Sequence, residues 1–320
     1  MKRIVTIGGG TGTFVVLSGL RRLPGVSLTA IVSSADDGGS TGRLRDAYGI
    51  LPPGDARQAL VALAEEDTLL RELFTYRFSK GDVAGHNLGN LFITALADRL
   101  GSATAALEAA SRILRIEGRV LSVSEHPATL VATLADGSVL AGEHAIDERT
   151  VGRPRITSLS FAEPVLLASH AREAILKADC IVMGPGDLYT SSIAPLLASG
   201  MQAALTESEA KLAYVMNLFT KAGQTEGYAA SQHVAEVERY AGRSMTHILI
   251  STDTFPEEAL ARYALEGEWP VADDLVSDPR ALRGRFAAIS LVEPVPEDPV
   301  PRSLVRHDSE KLARALATLL

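Results

Sequence analysis

The residues of this chain best suited to chemistry lie in glycine-rich loops that follow short apolar strands. The first is Gly8-Gly9-Gly10-Thr11-Gly12. Before it the chain reads Arg-Ile-Val-Thr-Ile, a run that fits inside a parallel sheet. After it Val15, Val16, Leu17 and Leu20 recur at helical spacing. The glycines therefore occupy a strand-to-helix turn. Glycine there permits positive φ and lets an anion approach bare N–H groups. The helix behind adds its positive end. The chemistry is phosphate binding at Gly9, Gly10, Thr11 and Gly12, with a nucleotide as the expected ligand. The string is not GxGxxG, since Thr13 stands where the third glycine would fall. A tight βα turn with no ligand is the plain structural alternative.

A second turn of the same kind follows the apolar run 180–183. It reads Gly184-Pro185-Gly186-Asp187-Leu188-Tyr189-Thr190-Ser191-Ser192. Hydroxyls of Thr190, Ser191 and Ser192 can join backbone N–H groups around a phosphate. Two such turns on one sheet suit a diphosphate linked to something else. Between them, residues 35–45 read Ala-Asp-Asp-Gly-Gly-Ser-Thr-Gly-Arg-Leu-Arg. Asp36 or Asp37, at the end of the second strand, is placed to take ribose hydroxyls. Either carboxylate can also hold Mg²⁺ or accept a proton. Arg43 offers a bidentate grip on phosphate. A solvated turn with a capping aspartate is the alternative. Asp55, in Pro-Pro-Gly-Asp-Ala-Arg, reads equally as helix cap and as catalytic acid. His86 and Asn87 open a later helix, where capping by Asn87 accounts for half of the motif. Thr220, Lys221 and Thr225 sit on a long polar loop after another strand.

The elements that position these loops alternate. Apolar strands are expected at 3–7, 27–34, 180–183, 212–216, 247–250 and 287–291. Helices are expected at 13–22, 57–64, 68–74, 88–100, 104–114, 172–177, 230–240, 256–263 and 309–320. This order predicts an α/β, Rossmann-like, doubly wound and mostly parallel sheet. Ligands in such sheets sit outside the carboxyl ends of the strands, where these loops are. Residues 118–161 are different: short strands at 120–123, 128–134, 139–140 and 156–161, with an Asp136-Gly137 hairpin signal. They read as a small β-rich insertion within a single nucleotide-binding domain over 1–320. A Pro-rich run at 293–301 reads as an extended connection to the last helix.

The bulk numbers exclude several classes. A formal net charge of −8 argues against unspecific nucleic-acid binding, and 5% aromatics against a base-stacking platform. The one cysteine, Cys180, rules out an internal disulfide and falls within a buried strand, so a core thiol is expected. No apolar run is long enough to span a bilayer, and no leader is visible before the first strand. A cytoplasmic protein is expected.

Together the loops resemble those of the gluconeogenesis factor family (YvcK-like), within the superfamily of 2-phospho-L-lactate transferase (CofD-like). GGGTG at 8–12, ADDGGSTGRLR at 35–45 and PPGDAR at 52–57 carry the resemblance, with FTYRF at 74–78, GHNLGN at 85–90, GPGDLYTS at 184–191 and RHDSEKLA at 306–313. It implies a Rossmann-like fold and binding of a UDP-sugar, notably UDP-N-acetylglucosamine, linked to control of carbon flow and cell-wall synthesis. Relatives in the superfamily move a phospholactyl group from a nucleotide donor onto a deazaflavin alcohol with Mg²⁺. Carried over, the resemblance assigns ligand contact to Gly8–Gly12 and 184–191, places Asp36 and Asp37 in the acidic loop, and implicates Tyr263 and Arg306 in UDP-sugar contact. Two positions depart from the family's pattern. Asp187 stands where serine is usual, and Lys221-Ala222-Gly223-Gln224-Thr225 replaces a more usual Gln-Pro-Gly-Glu-Thr.

A nucleotide-sugar-binding regulatory protein is thus the first reading, with no resident metal and with a regulatory partner or a second copy left open. A Mg²⁺-dependent transferase with Asp37 as catalytic residue is the alternative. An NAD-dependent oxidoreductase is a third, disfavoured because it needs no second phosphate turn. A tubulin-like GTPase shares GGGTG but carries it well inside its chain.

Overall fold

Alternating apolar runs and helices build a parallel sheet covered on both faces. The computed structural model describes residues 1–65, 68–148, 150–289 and 305–320. Its strands are β1 (Lys2–Ile7), β2 (Val26–Val32), β3 (Arg119–Ser122), β4 (Leu130–Leu134), β5 (Val139–Ala141), β6 (Ile156–Phe161), β7 (Cys180–Met183), β8 (Lys211–Val215), β9 (His247–Ser251), β10 (Ala281–Gly284), β11 (Ala287–Ile289) and β12 (Val305–His307). Its α-helices are α1 (Gly10–Leu20), α2 (Gly39–Tyr48), α3 (Pro53–Leu63), α4 (Leu69–Thr75), α5 (Leu88–Leu100), α6 (Ala103–Ile113), α7 (Glu143–Asp147), α8 (Ser169–Lys177), α9 (Met201–Glu207), α10 (Ala230–Ala241), α11 (Glu257–Leu265) and α12 (Ser309–Ala317).

The main sheet has seven strands in the order β10-β9-β8-β7-β1-β2-β3. Every pairing in it is parallel. Successive side chains point to opposite faces, so each strand feeds two cores. Ile4, Leu28, Ala30 and Val182 join Leu17, Leu60 and Leu316 on one face. Val5, Ile7, Ile31 and Ile181 join Ile175, Leu205 and Val237 on the other. From β1 the chain moves outward to β2 and β3, then returns on the opposite side at β7. The switch point therefore lies between β1 and β7, which pair with Ile7 opposite Met183. The glycine turns leave these two adjacent strands at the same end.

The differences from expectation have local causes. Residues 39–48, read as loop, form α2, capped by Gly38 and closed by Gly49 at φ +64°. Its Gly-Ser-Thr-Gly start masks a helical pattern that only Leu44 anchors in the core. The stretch near 120–123 pairs in parallel with β2 at the edge of the main sheet. The small antiparallel sheet is β5-β4-β6, with α7 following β5. The main sheet ends on β10, while β11 pairs antiparallel with β12 in a separate two-stranded ribbon. Residues 290–291 and the Pro-rich run at 293–301 lie outside the described residues.

Candidate functional site

At the switch point the two glycine turns merge into one surface. Gly10 has φ +65°, a left-handed conformation that glycine adopts without strain. Gly12 sits against the second turn so closely that a Cβ there would lie 1.9 Å from the Pro185 carbonyl oxygen. The first turn opens α1 at Gly10, whose first N–H groups have no intrahelical acceptor. The second turn opens a single π-helical turn over Leu188–Ile193. Between and beyond them lies a cleft of about 590 Å³.

Of the residues expected to bind ligand, Gly9, Gly10, Thr11, Gly12, Asp36, Gly186, Thr190, Ser191, Tyr263 and Arg306 line this cleft. The others do not line it. Gly184 is buried behind its turn. Tyr189 is fully buried, and its hydroxyl meets the Tyr228 hydroxyl at 3.1 Å. Asn87 is the N-cap of α5, accepting from Gly89 and Asn90 N–H at 2.9 and 3.3 Å. Arg43 is exposed on α2 and approaches the Ala84 carbonyl at 3.5 Å. Asp37 also turns away from the cleft. Its carboxylate accepts from the Glu143 and His144 N–H groups at 3.1 and 2.7 Å, capping α7 across a long sequence gap.

Asp55 is the acid at the first turn. Its Oδ1 accepts from Gly10 N–H at 2.8 Å, so this carboxyl caps α1 from another helix. Burial, then neighbouring Asp36, pushes it up to about 7. Asp36 accepts from Gly38 N–H at 3.0 Å and is also raised, chiefly by burial. Glu143 enters the cleft from α7 and is pushed up to about 9 by burial and by the surrounding carboxylates. At neutral pH this side of the cleft therefore holds fewer negative charges than its acid count implies. Among the described residues no three His, Cys, Asp or Glu side chains converge as a metal-ligand set. Asp36, Asp55 and Glu143 lie near enough for the charge on each to bear on its neighbours.

The two departures from the family pattern meet in space. Lys221, only 8% exposed, lies between Asp147 and Asp187 and contacts both, the latter at 2.5 Å. Burial opposes its charge, yet Asp187 and Asp147 outweigh burial and raise its pKa. Thr190 Oγ1 and Gln224 Nε2 also donate to Asp147, at 3.1 and 3.2 Å. So Asp187 does not face the turn as a bare anion; Lys221 neutralises it.

The far end of the cleft is aromatic and basic. Tyr263 stacks on Phe219 with ring centroids 3.9 Å apart and 16° between planes. Its hydroxyl accepts from Val305 N–H at 3.2 Å, so it pins β12, the strand that carries Arg306 and His307. Asn217 donates to the Gly186 carbonyl at 2.6 Å and fixes the second turn. Sequence reasoning overlooked Glu143, Asn217, Phe219, Glu268 and His307, all in the cleft wall. A signal existed for Asn217 and Phe219, which belong to the long polar loop that carries Thr220 and Lys221, and for His307, through its neighbour Arg306.

A doubly wound parallel sheet with paired glycine turns at its switch point defines a Rossmann-like α/β protein. Comparison narrows this. The family described as 2-phospho-L-lactate transferase CofD matches residues 4–288, and the chain belongs to that family. It is 37% identical over 319 residues to a protein of Halalkalibacterium halodurans named gluconeogenesis factor, covering 98% of this chain and 95% of that one. It is 35% identical over 322 residues to the gluconeogenesis factor of Bacillus subtilis, covering 99% and 98%. A crystal structure of a UPF0052 family member from Bacillus halodurans superposes with a TM-score of 0.90 at 34% identity, covering 98% of this chain and 99% of that one. No described helix is long and apolar enough to cross a membrane.

Proposed function

We propose that the cleft binds a nucleoside-diphosphate sugar, UDP-N-acetylglucosamine foremost. The protein is then a cytoplasmic regulatory factor that couples the level of that compound to gluconeogenic growth, carbon flow and cell-wall control. One observation carries the reading: turns from adjacent parallel strands touch at Gly12 and Pro185 and form a single face. A diphosphate spans such a face, with phosphates reached by N–H groups of both turns. Arg306 supplies positive charge at its edge. Protonation of Glu143 and partial protonation of Asp55 relieve the repulsion that five or more carboxylates would otherwise impose. The names of the relatives support the physiological half of the reading.

A transferase of the kind named for the family is the second reading. The observation favouring it is Asp55, a carboxyl poised near neutrality beside the first turn. Thermal-shift measurements with UDP-N-acetylglucosamine, GDP and NAD, each with and without Mg²⁺, test the proposal. A ligand at a hundredfold its Kd adds about 2.7 kcal/mol of stability. UDP-N-acetylglucosamine is expected to give the largest shift, with no release of UDP. A larger shift with NAD overturns the ligand, and Mg²⁺-dependent UDP release overturns the purely binding role.

A further inference from the structure

Three arginines from different elements meet at the loop between α4 and α5: Arg43 of α2, Arg57 of α3 and Arg77 of the loop itself. None of them lines the nucleotide cleft. Arg77 Nη1 donates to the Gly85 carbonyl at 2.8 Å. Arg43 Nη2 lies 3.1 Å from where a Cβ on the same Gly85 would stand. Arg57 Nε donates to Asn90 Oδ1 at 2.9 Å, and Asn90 Nδ2 donates to Ser40 Oγ at 3.3 Å. Ser40 Oγ in turn meets His86 Nδ1 at 3.1 Å. One hydrogen-bond chain thus ties Arg57 to His86, the residue next to Gly85. The charges crowd one another. Burial, then Arg77, pushes Arg57 down to about 10, while Asp55 and Asp36 on the cleft wall offset part of that. Burial, then Arg43 and Arg77, lowers His86. Among the described residues none of these three arginines is in an ion pair, whereas Arg45, on the same helix as Arg43, pairs with Asp46 at 3.0 Å.

The cluster also keeps unused donors. Arg57 spends only Nε on the protein; its Nη1 and Nη2 have no protein acceptor and are not closed off from solvent. Ser40 Oγ accepts from Asn87 N–H at 3.4 Å and from Asn90 Nδ2, so its own hydrogen goes to His86 Nδ1. The half-buried imidazole is then neutral and carries its proton on Nε2, a donor that remains open to solvent. Like cations held together without a counter-ion, with N–H donors to spare, are what an external anion would complete. A carboxylate is planar and singly charged, and one bidentate arginine matches it. Three guanidiniums and an imidazole N–H around one loop suit a tetrahedral, doubly charged phosphoryl group instead.

We propose that Arg43, Arg57, Arg77 and His86 form a second anion site, separate from the nucleotide cleft, that takes a phosphoryl dianion: inorganic phosphate or the phosphomonoester of a small molecule. The site does not depend on the nucleotide-sugar reading of the cleft. Calorimetric titration of wild type, Arg43→Gln and Arg77→Gln with inorganic phosphate and with glycerol 3-phosphate, at constant ionic strength, tests it. Wild type is expected to bind saturably, and each variant about tenfold more weakly. The tighter of the two anions tells free phosphate from a phosphomonoester as the source. Arg77→Lys, which keeps the charge but loses the fork, recovers part of the loss. Arg43→Gln changes an exposed side chain and keeps the test open should Arg77→Gln not fold. Because it removes one of the crowded charges, its melting temperature without ligand is expected to stay level or rise. Absence of saturable binding to wild type overturns the proposal, as does equal affinity in both variants, since phosphate would then sit on the glycine turns. UDP-N-acetylglucosamine titrated into the same proteins is expected to change less than about twofold. A loss there equal to that for phosphate makes the arginines part of the cleft and overturns the second site.

Discussion

Asp55 shows how one residue reports on the site. Its carboxyl accepts from Gly10 N–H while buried beside Asp36 and Glu143. A carboxyl raised to about 7 keeps its proton where the unfolded chain, at its ordinary value near 4, has lost it. The folded state then binds more protons between about pH 4 and pH 7, so this group's contribution to stability falls as pH rises through that window. Asp55→Asn keeps an acceptor for Gly10 and removes the titration. Thermal melts without ligand are expected to show Asp55→Asn more stable than wild type at pH 8, with the gap closing by pH 5. UDP-N-acetylglucosamine, whose charge is constant over this range, is expected to bind wild type more tightly at pH 6 than at pH 8, and Asp55→Asn equally at both. Lys221 makes the second residue-scale case. Lys221→Met strands two partly buried carboxylates, at a cost of about 2–3 kcal/mol given their residual solvent contact. The double change Asp187→Ser with Lys221→Gln removes charge from both sides. Urea unfolding of the full double-mutant cycle is expected to show the double variant more stable than Lys221→Met alone.

At the scale of elements, α7 is the unexpected contributor. It has only five residues, follows the small antiparallel sheet, and is held by Asp37. Asp37→Asn leaves one of two N–H acceptors, so a cap is half lost at a cost of about 1 kcal/mol. Chemical denaturation is expected to show that loss, together with weaker ligand binding as Glu143 and Asp147 lose their placement. A variant with unchanged stability would return Asp37 to the role of a free acid. This element also marks where reading the sequence runs out. The glycine turns were legible because glycine, strand and helix patterns fall next to one another in the chain. Asp37 as a cap was not, because its partners lie more than a hundred positions away. A five-residue helix carries too little periodicity to announce itself. Tyr189 reads as one more polar group in a phosphate turn, yet its ring faces the core, since neighbouring positions on a π-helical turn diverge. The pairing of Lys221 with Asp187 was visible only as two separate oddities.

At the scale of the molecule, the strand order decides where binding can occur. β1 and β7 are neighbours in the sheet but far apart in the chain, so their loops open in opposite directions around one crevice. The helices and the two apolar cores hold the turns in contact, and the late ribbon β11–β12 brings Arg306 and His307 to the same place. A crystal structure with UDP-N-acetylglucosamine bound tests the central claim most directly. Density for the diphosphate is predicted between Thr11–Gly12 and Gly186–Ser191, within hydrogen-bond distance of backbone N–H groups from both turns. A diphosphate that contacts only one turn, or a ligand seated elsewhere on the molecule, would contradict the account.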